Sequence, residues 1–405
     1  MMRIFSGFAK STLAELAAQT PASRDRYVDF LRAFSITVVV VGHWISVVVV
    51  WGHGSLNVLS AVGLISGTWV TTWVLQVMPL FFFVGGFSNL VTLDSFKRQG
   101  KSTWTFLRTR AVRLLKPTGV FLGIWLAIFL FLIFVFKGNT GPARGVILVL
   151  APLWFLVVYL MVTLAAPVMR ELHRRHGVWV PVILAALAVL IDVVRFRLNV
   201  PTVRWMNIAF VWFFAHQLGF FYGDGSLLRM PRLAHLAMTV GGLVGLVVLT
   251  NIGVYPKSMV GTGLGDLCEL LGLDPSKVYA ETVVGTGLEQ VSNMNPPTVC
   301  IVVLTCWLVG AAMLLRNSLN RWLERRRPWI VVITANTMIM SLYLWHLTAF
   351  VIAFLLLFPV GLGRQAPGSL FWWLERLVWI IVPGMILAIL LGFVGRFERP
   401  ARSNR

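Results

Sequence analysis

Long apolar runs recur along this chain, and charge is nearly absent from them. Read between charged or Pro/Gly-rich breaks, they fall at 33–51, 70–93, 118–136, 148–169, 178–194, 205–222, 233–254, 297–315, 331–358 and 373–395. About 20 residues at a rise of about 1.5 Å each cross the roughly 30 Å hydrocarbon core of a bilayer, so each run reads as a membrane-spanning helix. Helices satisfy their backbone hydrogen bonds internally, which that solvent demands. The expected fold is therefore an all-α integral membrane protein, a bundle of about ten transmembrane helices. Composition agrees, since only 12% of the 405 residues are charged, against about 25% in an ordinary soluble domain. The segment 56–66 is apolar but too short to span, and reads as re-entrant or interfacial.

The net charge is +20, from 35 Lys+Arg and 15 Asp+Glu. In a soluble chain such an excess points to nucleic acid. Here the basic residues sit in short segments between spans, the pattern by which charge sets topology, and nucleic acid is not an expected partner. A cytoplasmic N-terminus places 26 Lys/Arg in inner segments and nine in outer ones. That bias predicts both termini cytoplasmic, and the chain is expected to be a multi-pass protein of the plasma membrane. Residues 1–32 form the N-terminal segment, 33–395 the membrane domain with an extracytoplasmic loop at 255–296, and 396–405 the tail. The loop holds Gly261-Thr262-Gly263-Leu264-Gly265, with no preceding strand and no complete GxGxxG, and reads as a turn rather than a dinucleotide site. Cys268, Cys300 and Cys306 lack CxxC spacing, so neither a metal site nor a disulfide framework follows. The first 30 residues are too long and polar for a signal peptide, so the first span is expected to be retained. No internal repeat supports an inverted-repeat carrier.

Ionisable groups inside spans are costly, so each is a candidate site. Arg32 and His43 lie eleven residues apart, three helical turns plus about 20°, which puts them on one face with His43 about 16 Å deeper, near the midplane. Histidine suits proton transfer because its ordinary pKa of about 6.5 lies near working pH. The alternative is a histidine that glues helices together. Arg110 and Arg113 are one turn apart before the third span, either as a bidentate phosphate clamp or as an anchor to anionic lipid. Met78-Pro79 and Gly85-Gly86 imply a kink and a close helix approach. His216, His346 and Asp29 are candidates for lining the same cavity as His43, and the two histidines alternatively are satisfied bundle residues. Asp192 and Arg195 read as a local ion pair, and Trp69, Trp73, Trp372 and Trp373 as interfacial anchors.

These motifs resemble those of a known family. Asp29-Phe30-Leu31-Arg32-Ala33 followed by His43 resembles the first-helix signature of the membrane acyltransferase-3 family. Met78-Pro79-Leu80-Phe81-Phe82-Phe83 with Gly86 is similar to its second-helix motif, and Arg110-x-x-Arg113-Leu114-Leu115-x-Pro117 to its basic inner-face motif. Pro152-Leu153-Trp154-Phe155-Leu156 and Leu342-Tyr343-Leu344-Trp345-His346 are similar to its later aromatic signatures. The resemblance implies an O-acyltransferase with ten helices, an acyl-CoA-type donor as substrate rather than a bound cofactor, and a hydroxyl-bearing glycan, lipid or metabolite as acceptor. It implies His43 as the catalytic histidine, Arg32 as its motif partner, and Arg110 and Arg113 as donor-binding residues. Gly85 stands where the family often has Ser, and Pro152 where a His is common. The rival expectation is a secondary transporter or flippase that uses Arg32 and His43 as a substrate or proton relay.

Overall fold

The computed structural model describes residues 21, 24–52, 55–135, 144–252, 254–260 and 293–395. The glycine-rich segment 261–265, Cys268 and the rest of the expected loop through 292 lie outside the described residues, as do the tail 396–405 and residues 1–20.

Helix α1 spans Arg26–Ser46, because the Asp25 side chain accepts hydrogen bonds from the Tyr27 and Val28 amides and caps it there. It therefore starts before the expected limit at residue 33 and includes Asp29 and Arg32. It also ends early. The run Val47–Val50 is β-branched throughout, which favours extended backbone. Strand β1 (Val47–Gly52) pairs antiparallel with β2 (Ser55–Ser60), Val47 opposite Ser60 and Gly52 opposite Ser55. This hairpin is the one sheet among the described residues, and it takes up residues 56–60 of the 56–66 segment.

A short helix α2 (Ala61–Leu64) leads to α3 (Trp69–Leu75) and α4 (Met78–Arg98). One span was expected at 70–93, but the chain breaks at Gln76 and Val77. Pro79 falls in the first turn of α4, where its missing N–H has no intrahelical partner to lose, so it starts a helix rather than kinking one. Helix α5 (Thr103–Val135) carries Arg110 and Arg113 without interruption into the third span. Then come α6 (Arg144–Leu150), α7 (Leu153–His176), α8 (Trp179–Arg197), a 3₁₀ turn at Pro201–Met206, α9 (Asn207–Gly223), α10 (Ser226–Arg229), α11 (Arg232–Asn251) and α12 (Val299–Leu323). The expected run 331–358 is split at Met338 into α13 (Arg326–Thr337) and α14 (Ile339–Leu357), and α15 covers Leu370–Val394.

Nine helical segments among the described residues are long and apolar enough to cross a membrane. The chain is a multi-pass membrane protein. The expected span at 205–222 is α9, whose 17 residues rise only about 26 Å. It sits inside the bundle, with Trp212, Ala215, His216, Gln217 and Phe220 all fully buried, as befits a helix apolar on every face. Helices α5 and α15 lie outermost and present Leu126, Leu130, Phe131, Leu374, Leu377 and Ile381 outward.

One end of the bundle gathers the basic connections. Arg170 Nε donates to Asp94 Oδ1 at 2.6 Å, and Arg174 Nη2 to the same oxygen at 3.0 Å. His173 Nε2 lies 3.0 Å from Asp224 Oδ2, the Tyr222 hydroxyl donates to Asp25 Oδ2 at 2.7 Å, and Arg26 Nη1 to the Leu323 carbonyl at 3.1 Å. Segments that the charge count places on one side are thus joined at one end, around the start of α1. At the other end Asp192 is a hub. It accepts from Asn207 Nδ2 at 2.8 Å, the Tyr255 hydroxyl at 3.0 Å and the Val299 amide at 2.8 Å. The expected pairing with Arg195 gives way to this network, and Arg195 instead lies over the Phe196 ring, 4.8 Å from its centroid.

Candidate active site

His43 lies in the last turn of α1, where the Val47 amide bonds to its carbonyl, and its ring turns inward onto α14. His43 Nδ1 is 2.9 Å from His346 Nε2, and the two rings stack with centroids 5.1 Å apart. His346 Nδ1 is 2.6 Å from the Tyr343 carbonyl oxygen. A carbonyl only accepts, so the His346 proton is on Nδ1 and its Nε2 is a lone pair. His43 must then donate through Nδ1, and its Nε2 is left as the basic nitrogen. Further contacts hold both rings. Trp44 Nε1 donates to the His346 carbonyl at 2.9 Å, and the Tyr343 hydroxyl donates to the Pro152 carbonyl.

The end of α1 is clamped from α15. Arg376 Nη1 reaches the carbonyls of Ile45 and Val47, both at 3.4 Å, while its guanidinium lies over the Trp372 ring at 4.2 Å. Trp372 is accordingly buried, whereas its neighbour Trp373 is exposed. In the sequence Arg376 is one of the nine basic residues that a cytoplasmic N-terminus places in outer segments. The signal that could have found it is an arginine inside an apolar run.

Toward the other end of α1, two arginine motifs converge on Ser88. Arg32 Nη2 donates to Ser88 Oγ at 3.3 Å and its Nη1 to Asp29 Oδ1 at 3.3 Å. Arg110 Nη2 donates to the Ser88 carbonyl at 2.7 Å and to Thr92 Oγ1 at 2.5 Å. Arg113 and the Tyr159 hydroxyl lie within electrostatic reach of both guanidiniums. Asp29 is shared, since its Oδ2 accepts from Arg24 at 2.5 Å. Arg32, Arg110 and Arg113 thus form a cluster of which Asp29 pairs with Arg32 alone among the described residues, and the buried Arg110 Nε keeps a donor without a partner among them. Such a cluster suits a multiply charged anion. Ser88, Thr92 and Tyr159 were not singled out from sequence.

The aromatic motifs meet between these two places. Phe155 packs on Phe81, Phe82 and Tyr343 with centroids 5.3–5.4 Å apart, and Phe82 stacks on Trp212 at 4.5 Å. His216 is held elsewhere, its Nε2 3.1 Å from Asn89 Nδ2 across the contact between α4 and α9.

A family model described as an acyltransferase domain matches residues 25–396. The chain belongs to the acyltransferase-3 family. No curated protein and no solved structure matches it. Membership and the apolar helices together make the chain a membrane acyltransferase. The match of this acyltransferase-3 chain begins at Asp25, the cap of α1, and runs past α15, so the histidine pair, the arginine cluster and the aromatic layer all fall inside it. The two departures from the family pattern have local partners here. At Gly85 an added Cβ would stand 2.8 Å from the Tyr159 ring, so a serine there would need that ring to shift. Pro152 precedes α7 and offers its carbonyl to Tyr343.

Proposed function

We propose that this chain transfers an acyl group from an acyl-CoA-type thioester to a hydroxyl of a glycan, lipid or metabolite, with His43 as general base. The observation that carries the proposal is the hydrogen-bonded series from His43 through His346 to the Tyr343 carbonyl. It leaves His43 Nε2 free to take the proton of the acceptor hydroxyl. The acceptor oxygen then attacks the thioester carbonyl, the C–S bond breaks, and the leaving sulfur recovers the proton from Nε2 as a free thiol. During the step the imidazolium is supported by its Nδ1–H bond to His346 and by the partial negative charge at the end of α1. Positioned proton transfer of this kind is worth about 10²–10⁴-fold in rate. Arg32, Arg110 and Arg113 bind the phosphates of the donor in this reading, and the Arg110 Nε has a donor to give. The lysine and arginine bias further supports both termini in the cytoplasm and the donor arriving from that side, and the setting proposed is the plasma membrane.

The transporter reading is not favoured by family membership. The test is thiol release by purified protein across a panel of acyl-CoA donors. We expect H43A to fold normally and to lose at least about a hundred-fold in rate. R110A is expected to raise the donor KM by about ten-fold or more, the loss of a charge-assisted hydrogen bond, while the acceptor KM stays within about two-fold. Full activity in folded H43A, or equal loss of both substrates in R110A, would remove the respective assignment.

A further inference from the structure

A second basic site lies apart from the arginine cluster. Between α11 and α12, at the end of the bundle that holds the start of α1, is a cavity of about 390 Å³ lined by Arg232, Arg316, Arg321, Asn317 and the apolar side chains Leu228 and Met230 among others. Among the described residues no Asp or Glu lines it. None of the three arginines forms an ion pair among the described residues. Asp25, which Arg316 reaches through Tyr222, stands against one of these three cations, and the cavity leaves Arg232 and Arg321 for an anion from outside. Arg316 is also aimed. Its Nε donates to the Tyr222 hydroxyl at 2.9 Å, and that hydroxyl is itself fixed on Asp25 at 2.7 Å. Arg32, Arg110 and Arg113 take no part in this lining.

What lies beside the cavity indicates the ligand. Below Arg232 on α11, Leu236, Val240, Leu243 and Val247 are each 40–50% exposed. At 100° per residue all four fall within about 80° of Arg232 on the same helix face. Arg232, which lines the recess, thus heads an exposed apolar face of the same helix. A soluble anion has no use for that face, whereas a phospholipid fits both parts.

We infer that the cavity binds the phosphate headgroup of an anionic phospholipid, with an acyl chain laid along the outer face of α11. The shared chemistry is a phosphate group, and the test separates a lipid from a free anion. The full chain, purified in detergent, is titrated with phosphatidylglycerol, with phosphatidylcholine, and with inorganic phosphate at matched ionic strength, and its thermal unfolding is followed. Phosphatidylglycerol is expected to raise the Tm saturably, and phosphatidylcholine and phosphate to leave it unchanged. The variant R232Q/R321Q changes two exposed side chains and is expected to need at least ten-fold more phosphatidylglycerol for the same shift. K97Q/R98Q, an exposed pair with the same loss of charge outside the cavity, is expected to behave as the unmodified protein. An equal shift in R232Q/R321Q overturns the site, and an equal shift from inorganic phosphate overturns the lipid. Native mass spectrometry of the unmodified protein gives an independent reading: retention of phosphatidylglycerol over phosphatidylcholine supports the proposal, and equal retention overturns it.

Discussion

With the Nδ1 proton of His43 committed to His346, an acceptor hydroxyl reaches a basic nitrogen only at the opposite edge of the ring. The role of His346 in the proposed mechanism is then specific. It must accept a hydrogen bond, which a glutamine carbonyl also does and a phenylalanine cannot. H346Q is expected to keep the rate of thiol release within about ten-fold of the unmodified protein, and H346F to fall at least about a hundred-fold. Initial rates of the two variants check this, and equal losses would show that His346 only fills space. The same directional logic applies to Tyr255 at the far end of the molecule. Burial, and then the nearby Asp192 charge, push its phenol above the usual range, so it remains a donor to Asp192 at any working pH.

Helices α4 and α9 touch backbone to backbone, and this contact sets the floor beneath the aromatic layer. An added Cβ at Gly86 would stand 2.9 Å from the His216 carbonyl carbon and 3.2 Å from Gly219 Cα, whereas at Gly85 it would meet only the movable ring of Tyr159. Backbone cannot yield as a side chain does, so the adjacent glycines should differ in tolerance. G86A is expected to cost about 3 kcal/mol or more, and G85A less than about 1 kcal/mol, as read from thermal unfolding in detergent. The reverse order would contradict the crossing described. This approach was visible in the sequence as Gly-Gly within an apolar run. The hairpin after α1 was not, because a short β-branched run inside a longer apolar stretch has no period that separates strand from helix. The break at Met338 was hidden for the same reason, since apolar residues continue on both sides of it.

At the scale of the molecule, most spans were legible because lipid imposes length and apolarity on each helix separately. The face shared by Arg32 and His43 was legible for a related reason, as both ride on one helix. The site itself was not, since its bonds join residues far apart in the chain. His346 meets His43 across 303 positions, and Arg32 and Arg110 meet only through a serine on a third helix. The orientation expected from the charge bias is open to direct measurement. In a background lacking Cys268, Cys300 and Cys306, Q365C is expected to react with a membrane-impermeant maleimide on intact cells. Q99C, at the opposite end, is expected to react only after permeabilisation. The inverse pattern would reverse the topology.

Helix α1 runs without a break from Arg26 to Ser46, so Arg32 and His43 are fixed about 16 Å apart along a single rod. On the proposed mechanism that rod is a gauge. The span from the donor's charged end to its reactive carbon must match it, while the acyl tail hangs beyond the measured interval. Such an enzyme is strict about the carrier that delivers the group and indifferent, along this axis, to the length of what is delivered.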